Sequence, residues 1–140
     1  MIIAKKLNEE ARIPTKATKG SAGWDLYSLE DVIITSGFSE VVSTGIAVEI
    51  PENWVGLLTH RSSLAFKLDT ISSFGVIDND YRGEIKVKLF NMGSDGVRIK
   101  AGDRFAQLVV VPSYCQLEMV DSDILSDTDR GDGGMGSTGV

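Results

Sequence analysis

At 140 residues the chain is long enough for one domain with a sizeable core and too short for two that would each stand alone. With 42% hydrophobic and 24% charged residues, its composition is that of an ordinary globular protein. The net charge of -6 argues against a protein that wraps nucleic acid or coats an acidic membrane, because either needs a surplus of Lys and Arg. A small phosphorylated ligand remains open, since a few local cations and a metal suffice for it.

Cys115 is the single cysteine, so no intramolecular disulfide can form and nothing points to an oxidising compartment. It is read as a buried structural thiol. The start, Met1 to Lys6, has no long apolar core after a basic stretch, which argues against a signal peptide. No apolar run has the length of a membrane span. The expectation is a soluble intracellular protein, in cytoplasm or nucleus, encoded by a cell, a virus or a phage.

Most of the chain has period two. Val32 to Ile34 is a short β-branched run, read as a strand buried on both faces. Ile46, Val48 and Ile50 alternate with Ala47 and Glu49 until Pro51 ends the run. Trp54 to Leu58 reads like Val32 to Ile34. Ser63 to Leu68 is the one helical stretch, with Ser62 or Ser63 as its N-cap. Ile85, Val87 and Leu89 alternate with Glu84, Lys86 and Lys88, giving a strand with one wet face. Phe105 to Val111 is a further strand buried on both faces. Turn residues fall between these runs: Ser36-Gly37, Pro51-Glu52-Asn53, Gly93 to Gly96 and Ala101-Gly102-Asp103. Many short strands at this spacing predict a sandwich, barrel or jelly roll. From Asp121 onward the composition shifts to Asp and Gly, and such a segment cannot bury enough surface to offset its ordering entropy. The division is a β-domain over 1–125 and a flexible C-terminal arm over 126–140.

Five segments carry candidate chemistry. In Ala22 to Ser28, Asp25 sits in an apolar strand, so it either forms a structural salt bridge or holds metal-bound water. In His60 to Ala65, Arg61, Ser62 and Ser63 precede the helical turn, where N–H groups can meet phosphate or the helix is simply capped. Gly75 to Ile85 reads as a hairpin around Asn79-Asp80. There Asp78 is a turn former or a general base for water, and Tyr81 is a packing residue or a face for a sugar or base. In Gly102 to Leu108, the amide of Gln107 must bond either backbone or ligand. In the tail, glycines, Ser137, Thr138 and the forked donor face of Arg130 could wrap an anion, or the tail is merely solvated.

In this order, the five segments resemble the five motifs of the trimeric dUTPase family, and they span positions 22 to 139. The resemblance implies an all-β distorted jelly roll (a β-clip) with one short helix. It implies a homotrimer with three shared active sites, each closed by the arm of a neighbour. It also implies the reaction: hydrolysis of dUTP to dUMP and pyrophosphate, limiting uracil in DNA and supplying dUMP for dTMP synthesis.

The roles it implies are these. Asp78 is the base that orients water toward the α-phosphorus. Tyr81 packs on the deoxyribose, and the backbone near Phe74, with Gly75 and Ile77, reads the uracil edge. Arg61, Ser62, Ser63 and Gln107 hold the phosphates. Arg130, Met135, Gly136, Ser137 and Thr138 close over the nucleotide. Asp25 contacts water on a Mg²⁺ held mainly by the triphosphate.

Four positions depart from the family's common pattern: Met135 stands for Phe, Ser63 for Gly, His60 for Pro and Trp24 for Tyr. Met135 can still cover a base, but with less stacking than a ring, so a functional but looser lid is expected. The other three remove no proposed chemical group. The dCTP deaminases share the fold, but their proton-carrying Glu is replaced here by Lys88, and their Pro-Gly by Asn79-Asp80. A nucleotide-binding regulator on the same scaffold is the alternative outside enzymes; Asp78 argues against it, because a pure binder needs no water-activating carboxylate beside an anion.

Overall fold

The computed structural model describes residues 1–114 and 116–134. Its strands, in chain order, are β1 (Ile3–Lys6), β2 (Gly23–Tyr27), β3 (Val32–Ile34), β4 (Ser39–Ser43), β5 (Ile46–Glu49) and β6 (Trp54–His60). The helix α1 (Ser62–Leu68) follows, then β7 (Thr70–Ser72), β8 (Gly75–Ile77), β9 (Lys86–Asn91), β10 (Val97–Ile99) and β11 (Arg104–Pro112). Among the described residues this is an all-β protein with one short helix.

The strands form a four-stranded sheet β2-β11-β6-β8, a three-stranded sheet β4-β9-β7, and the two-stranded pairs β1-β5 and β10-β3. Every pairing is antiparallel. The inward residues of all these sheets meet in one core, which includes Leu26, Ile34, Val42, Ile46, Leu58, Ile85, Val87, Leu89, Phe105 and Leu108. In β9 the alternation is strict: Val87, Leu89 and Asn91 are buried while Lys86, Lys88 and Phe90 face out. Asn91 is the polar exception, and its amide nitrogen donates to Ile34 O and Asp95 O at 2.9 and 2.7 Å. Gly56 lets β6 pass through the core, because a Cβ there would lie 2.8 Å from both Ile50 Cδ1 and Leu108 Cδ1.

Three expectations differ from the observed structure. The runs read as buried on both faces are only partly so: Ile33 and Trp54 are exposed, and Val109 to Val111 are half-buried. A three-residue strand in a two-stranded pair has one face with nothing to cover it. The N-cap of α1 is Arg61, in extended conformation, with no side-chain capping bond. The segment Gly75 to Ile85 turns at Asp78, where Tyr81 N–H donates to Asp78 O at 3.1 Å, but its flanks do not pair with each other. β8 joins β6, and β9 joins β4 and β7, so the segment crosses between sheets and is no hairpin. Finally, Cys115 lies outside the described residues, as do Met135, Gly136, Ser137 and Thr138. Residues 116–134 carry no strand or helix, and all but Gly133 are exposed.

Candidate active site

The first cavity, about 310 Å³, is lined by Ala17, Ser21, Ala22, Gly23, Asp25, Arg61, Ser62, Ser63 and Gln107. Three strands bring these residues together. Gln107 on β11 stands opposite Asp25 on β2 and Thr59 on β6. Gly23 permits the close approach: a Cβ there would sit 3.1 Å from Gln107 Oε1 and from Leu108 O.

Asp25 is buried and is the electrostatic hub of this cavity. Its Oδ1 accepts from Arg61 Nε at 2.9 Å, and its Oδ2 accepts from Arg104 Nη1 at 3.3 Å. Arg61 also donates through Nη1 to Arg104 O at 3.2 Å, which leaves Nη2 as the nitrogen available to an anion. Gln107 donates through Nε2 to His60 O at 3.0 Å and keeps a second N–H for the cavity. Ser62 and Ser63 occupy the first turn of α1, where backbone N–H groups lack intrahelical partners.

Arg104 is a site residue that sequence reasoning missed, and the reason is a β-bulge. Residues three apart on a strand normally face opposite ways. The register of β11 on β2 shifts between Arg104 and Ala106, so Arg104 pairs with Tyr27 and Gln107 with Asp25. One extra residue thus puts Arg104 and Gln107 on the same face as Asp25. Phe105 and Ala106, consecutive in the chain, are both fully buried as a result. No pattern in the sequence marks this bulge. Ala17 and Ser21 were also missed. Ser21 Oγ accepts from Thr18 N–H at 3.0 Å, which shapes the turn before β2.

The second cavity, about 630 Å³, is lined by Leu58, Gly75, Val76, Ile77, Asp78, Tyr81, Glu84 and Lys86. Asp78 is an exposed carboxylate at the end of β8. The Tyr81 hydroxyl donates to Glu84 O at 3.0 Å. Glu84 and Lys86 were not singled out by the sequence. The structure therefore gathers Asp25, Arg61, Ser62, Ser63 and Gln107 in one place, and Gly75, Ile77, Asp78 and Tyr81 in another. Arg130 lines neither cavity; it is exposed in a turn where Gly133 N–H donates to Arg130 O at 3.1 Å.

One cavity rich in fixed donors and one with apolar walls and a carboxylate suit a molecule with a phosphate end and a base end. The dUTPase family model matches residues 9–139. The chain belongs to the dUTPase family. Its activity class is that of a dUTP nucleotidohydrolase. It is 46% identical over 142 residues to the deoxyuridine 5'-triphosphate nucleotidohydrolase of Hydrogenobaculum sp., across 99% of this chain and 98% of that one. The enzyme of the same name from Paramecium bursaria Chlorella virus 1 is 41% identical over 144 residues, across 99% and 98% of the two chains. Among solved structures, the dUTPase of Staphylococcus bacteriophage 80alpha with dUpNHpp superposes with a TM-score of 0.93 at 31% identity, covering 100% of this chain and 99% of that one. A variant of the dUTPase of Staphylococcus aureus phage phi11, described with a structural Mg(II) ion, superposes with a TM-score of 0.84 at 28% identity, covering 91% and 99%. The fold is accordingly the jelly-roll-like one of the dUTPases. No helix among the described residues is long and apolar enough to cross a membrane.

As to metal, no group of three or more His, Cys, Asp or Glu converges among the described residues. The donor-rich cavity does hold the Asp25 carboxylate. That set suits a Mg²⁺ carried by phosphate oxygens and water, with one carboxylate behind the water, rather than an all-protein cage.

Proposed function

We propose that this dUTPase hydrolyses dUTP to dUMP and pyrophosphate by attack of a water, activated by Asp78, on the α-phosphorus. The observation that carries this reading is the sorting of the motif residues between the two cavities. Arg61, Ser62, Ser63 and Gln107 line one beside Asp25, and Asp78 and Tyr81 line the other beside Glu84 and Lys86. Arg61, Ser62, Ser63 and Gln107 hold the phosphates, in a cavity where Arg61 is already fixed by Asp25. Tyr81 packs on the deoxyribose, and the backbone at Gly75 and Ile77 reads the uracil edge. The exposed Asp78 accepts a proton from water and aims its lone pair. Asp25 would face water on a Mg²⁺, which when bound supplies charge neutralisation across the phosphates. Positioning and electrostatics then account for most of the rate.

The two cavities share no lining residue, and Phe38, Phe66, Phe74 and Met92 expose large apolar surface. Both features support a homotrimer in which each site combines residues of different subunits. Residues 1–125 form the β-domain of each subunit. Residues 126–140 act as an arm over a neighbouring site, bringing Arg130, Met135, Gly136, Ser137 and Thr138 to the nucleotide. The reaction would supply dUMP for dTMP synthesis and limit uracil in DNA.

Pyrophosphate release from dUTP, with dCTP, dTTP and UTP as controls, tests the reaction. Asp78→Asn should lower turnover by roughly 10² to 10⁴ while dUTP still binds. Turnover within a few-fold of the parent would remove Asp78 from the role of base.

A further inference from the structure

We propose that Gly83 and Glu84 set the sugar specificity of the reaction by holding the Tyr81 ring in one orientation against the 2′ position. The inference rests on the placement of Tyr81 at the deoxyribose given above.

Tyr81 is 42% exposed, and an aromatic ring at that exposure would ordinarily move between rotamers. Here it is held from two sides. Its hydroxyl donates to Glu84 O at 3.0 Å. Its phenol end fills the space beside Gly83: a Cβ there would stand closer to the Tyr81 hydroxyl oxygen, Cζ and Cε2 than real Cβ contacts allow. Gly83 is not among the glycines with positive φ, so its backbone conformation is open to any residue. The nearest atoms that a side chain at this position would meet are those of the Tyr81 phenol.

The anchor carbonyl is itself fixed. Glu84 Oε1 accepts from Gly45 N–H at 2.9 Å, and Oε2 pairs with Lys86 Nζ at 3.3 Å. The next residue, Ile85, is fully buried; its N–H donates to Ile46 O at 2.8 Å and its carbonyl accepts from Thr44 Oγ1 at 2.7 Å. The wall behind Tyr81 is thus tied to the turn between β4 and β5. Tyr81, Glu84 and Asp78 line the same cavity, so a rotated ring would open space where the nucleotide's sugar sits. Glu84 is a positioning residue: it acts on the substrate only through Tyr81.

The test is the ratio of kcat/KM for dUTP to that for UTP, whose extra 2′-hydroxyl is the group to be refused. It is measured for the parent, Tyr81→Ala, Gly83→Ala, Glu84→Ala and Glu84→Gln. An apolar wall rejects an added hydroxyl by roughly 10², so releasing the ring should lower the ratio about tenfold in Gly83→Ala and Glu84→Ala. Glu84→Gln keeps an acceptor for Gly45 N–H and should hold most of the parental ratio. A loss that falls equally on dUTP and UTP means a merely structural role and overturns the inference. If Gly83→Ala fails to fold, the two Glu84 variants decide alone. If Tyr81→Ala keeps the parental ratio, the placement of Tyr81 at the sugar fails, and this inference with it. If Tyr81→Ala loses the ratio while Gly83→Ala and Glu84→Ala keep it, only this inference fails.

Discussion

Asp25 shows why one side chain admitted two readings. The sequence offered a structural ion pair or a ligand-facing carboxylate, and the structure puts the Arg61–Asp25 pair in the donor-rich cavity while Arg104 reaches Asp25 from outside its lining. The two guanidiniums differ in what they can contribute. The Arg61 side chain is 24% exposed, while that of Arg104 is 46% exposed and loses much of its attraction to solvent screening. Asp25→Ala strips Arg61 of its anchor and should cost about 2 kcal/mol in urea unfolding, against less than about 1 kcal/mol for Arg104→Met. KM for dUTP should rise in Asp25→Ala because Arg61 is no longer aimed. An unchanged KM would mean that the bond from Arg61 to Arg104 O is enough to place it. Gln107 carried the same double reading: its amide bonds the His60 carbonyl and still lines the cavity, because an amide nitrogen has two hydrogens to give. Arg104 itself was illegible, since the bulge that turns it toward Asp25 leaves no periodic trace.

At the scale of elements, the longer apolar runs were legible as strands, whereas β1, β4, β7 and β10 and the partners of every strand were not. β5 and β9 follow from alternation alone. The pairing of β8 with β6 rather than β9 depends on contacts distant in sequence, which no local pattern encodes. The start of α1 was placed within a residue, but its cap was misassigned: both serines lie inside the first turn and line the cavity, and Arg61 is the N-cap with no side-chain capping bond. The short pair β3-β10 depends on a local staple. Asp31, just before β3, accepts from Arg98 Nη2 at 2.5 Å and from Ala101 N–H at 2.9 Å. The Arg98 bond first, then the Ala101 bond, holds the Asp31 carboxyl below its ordinary value of 3.8. A depressed folded-state value stabilises the fold above that ordinary value and ceases to do so as the pH falls through the folded-state value. Asp31→Asn should therefore lower stability at pH 7, with the deficit shrinking once the pH drops below about 4. High salt should shrink it too, because the pair is exposed. A deficit that does not change with pH would assign it to lost geometry rather than to charge.

The whole molecule makes the strongest demand, because on the proposed reading two cavities serve one nucleotide. The cavity holding Asp78 and Tyr81 and the cavity holding Arg61 and Gln107 share no lining residue within one chain. If a working site takes Asp78 from one subunit and Arg61 from another, two defective chains can complement each other. Asp78→Asn and Arg61→Ala proteins should each be nearly inactive. Refolded together in equal amounts, subunits that assemble as proposed should form mixed oligomers. A site then works when its Asp78 comes from an Arg61→Ala chain and its Arg61 from an Asp78→Asn chain. With random mixing each condition holds half the time, so about one quarter of parental activity should return. Subunits that build each site from their own residues can return none, because every chain carries one defect. Recovery also depends on exchange, so mixing the two folded proteins without unfolding should restore activity only as fast as subunits dissociate. Recovery near a quarter, seen only after exchange, would establish that each site is shared between subunits and that the two cavities divide the labour.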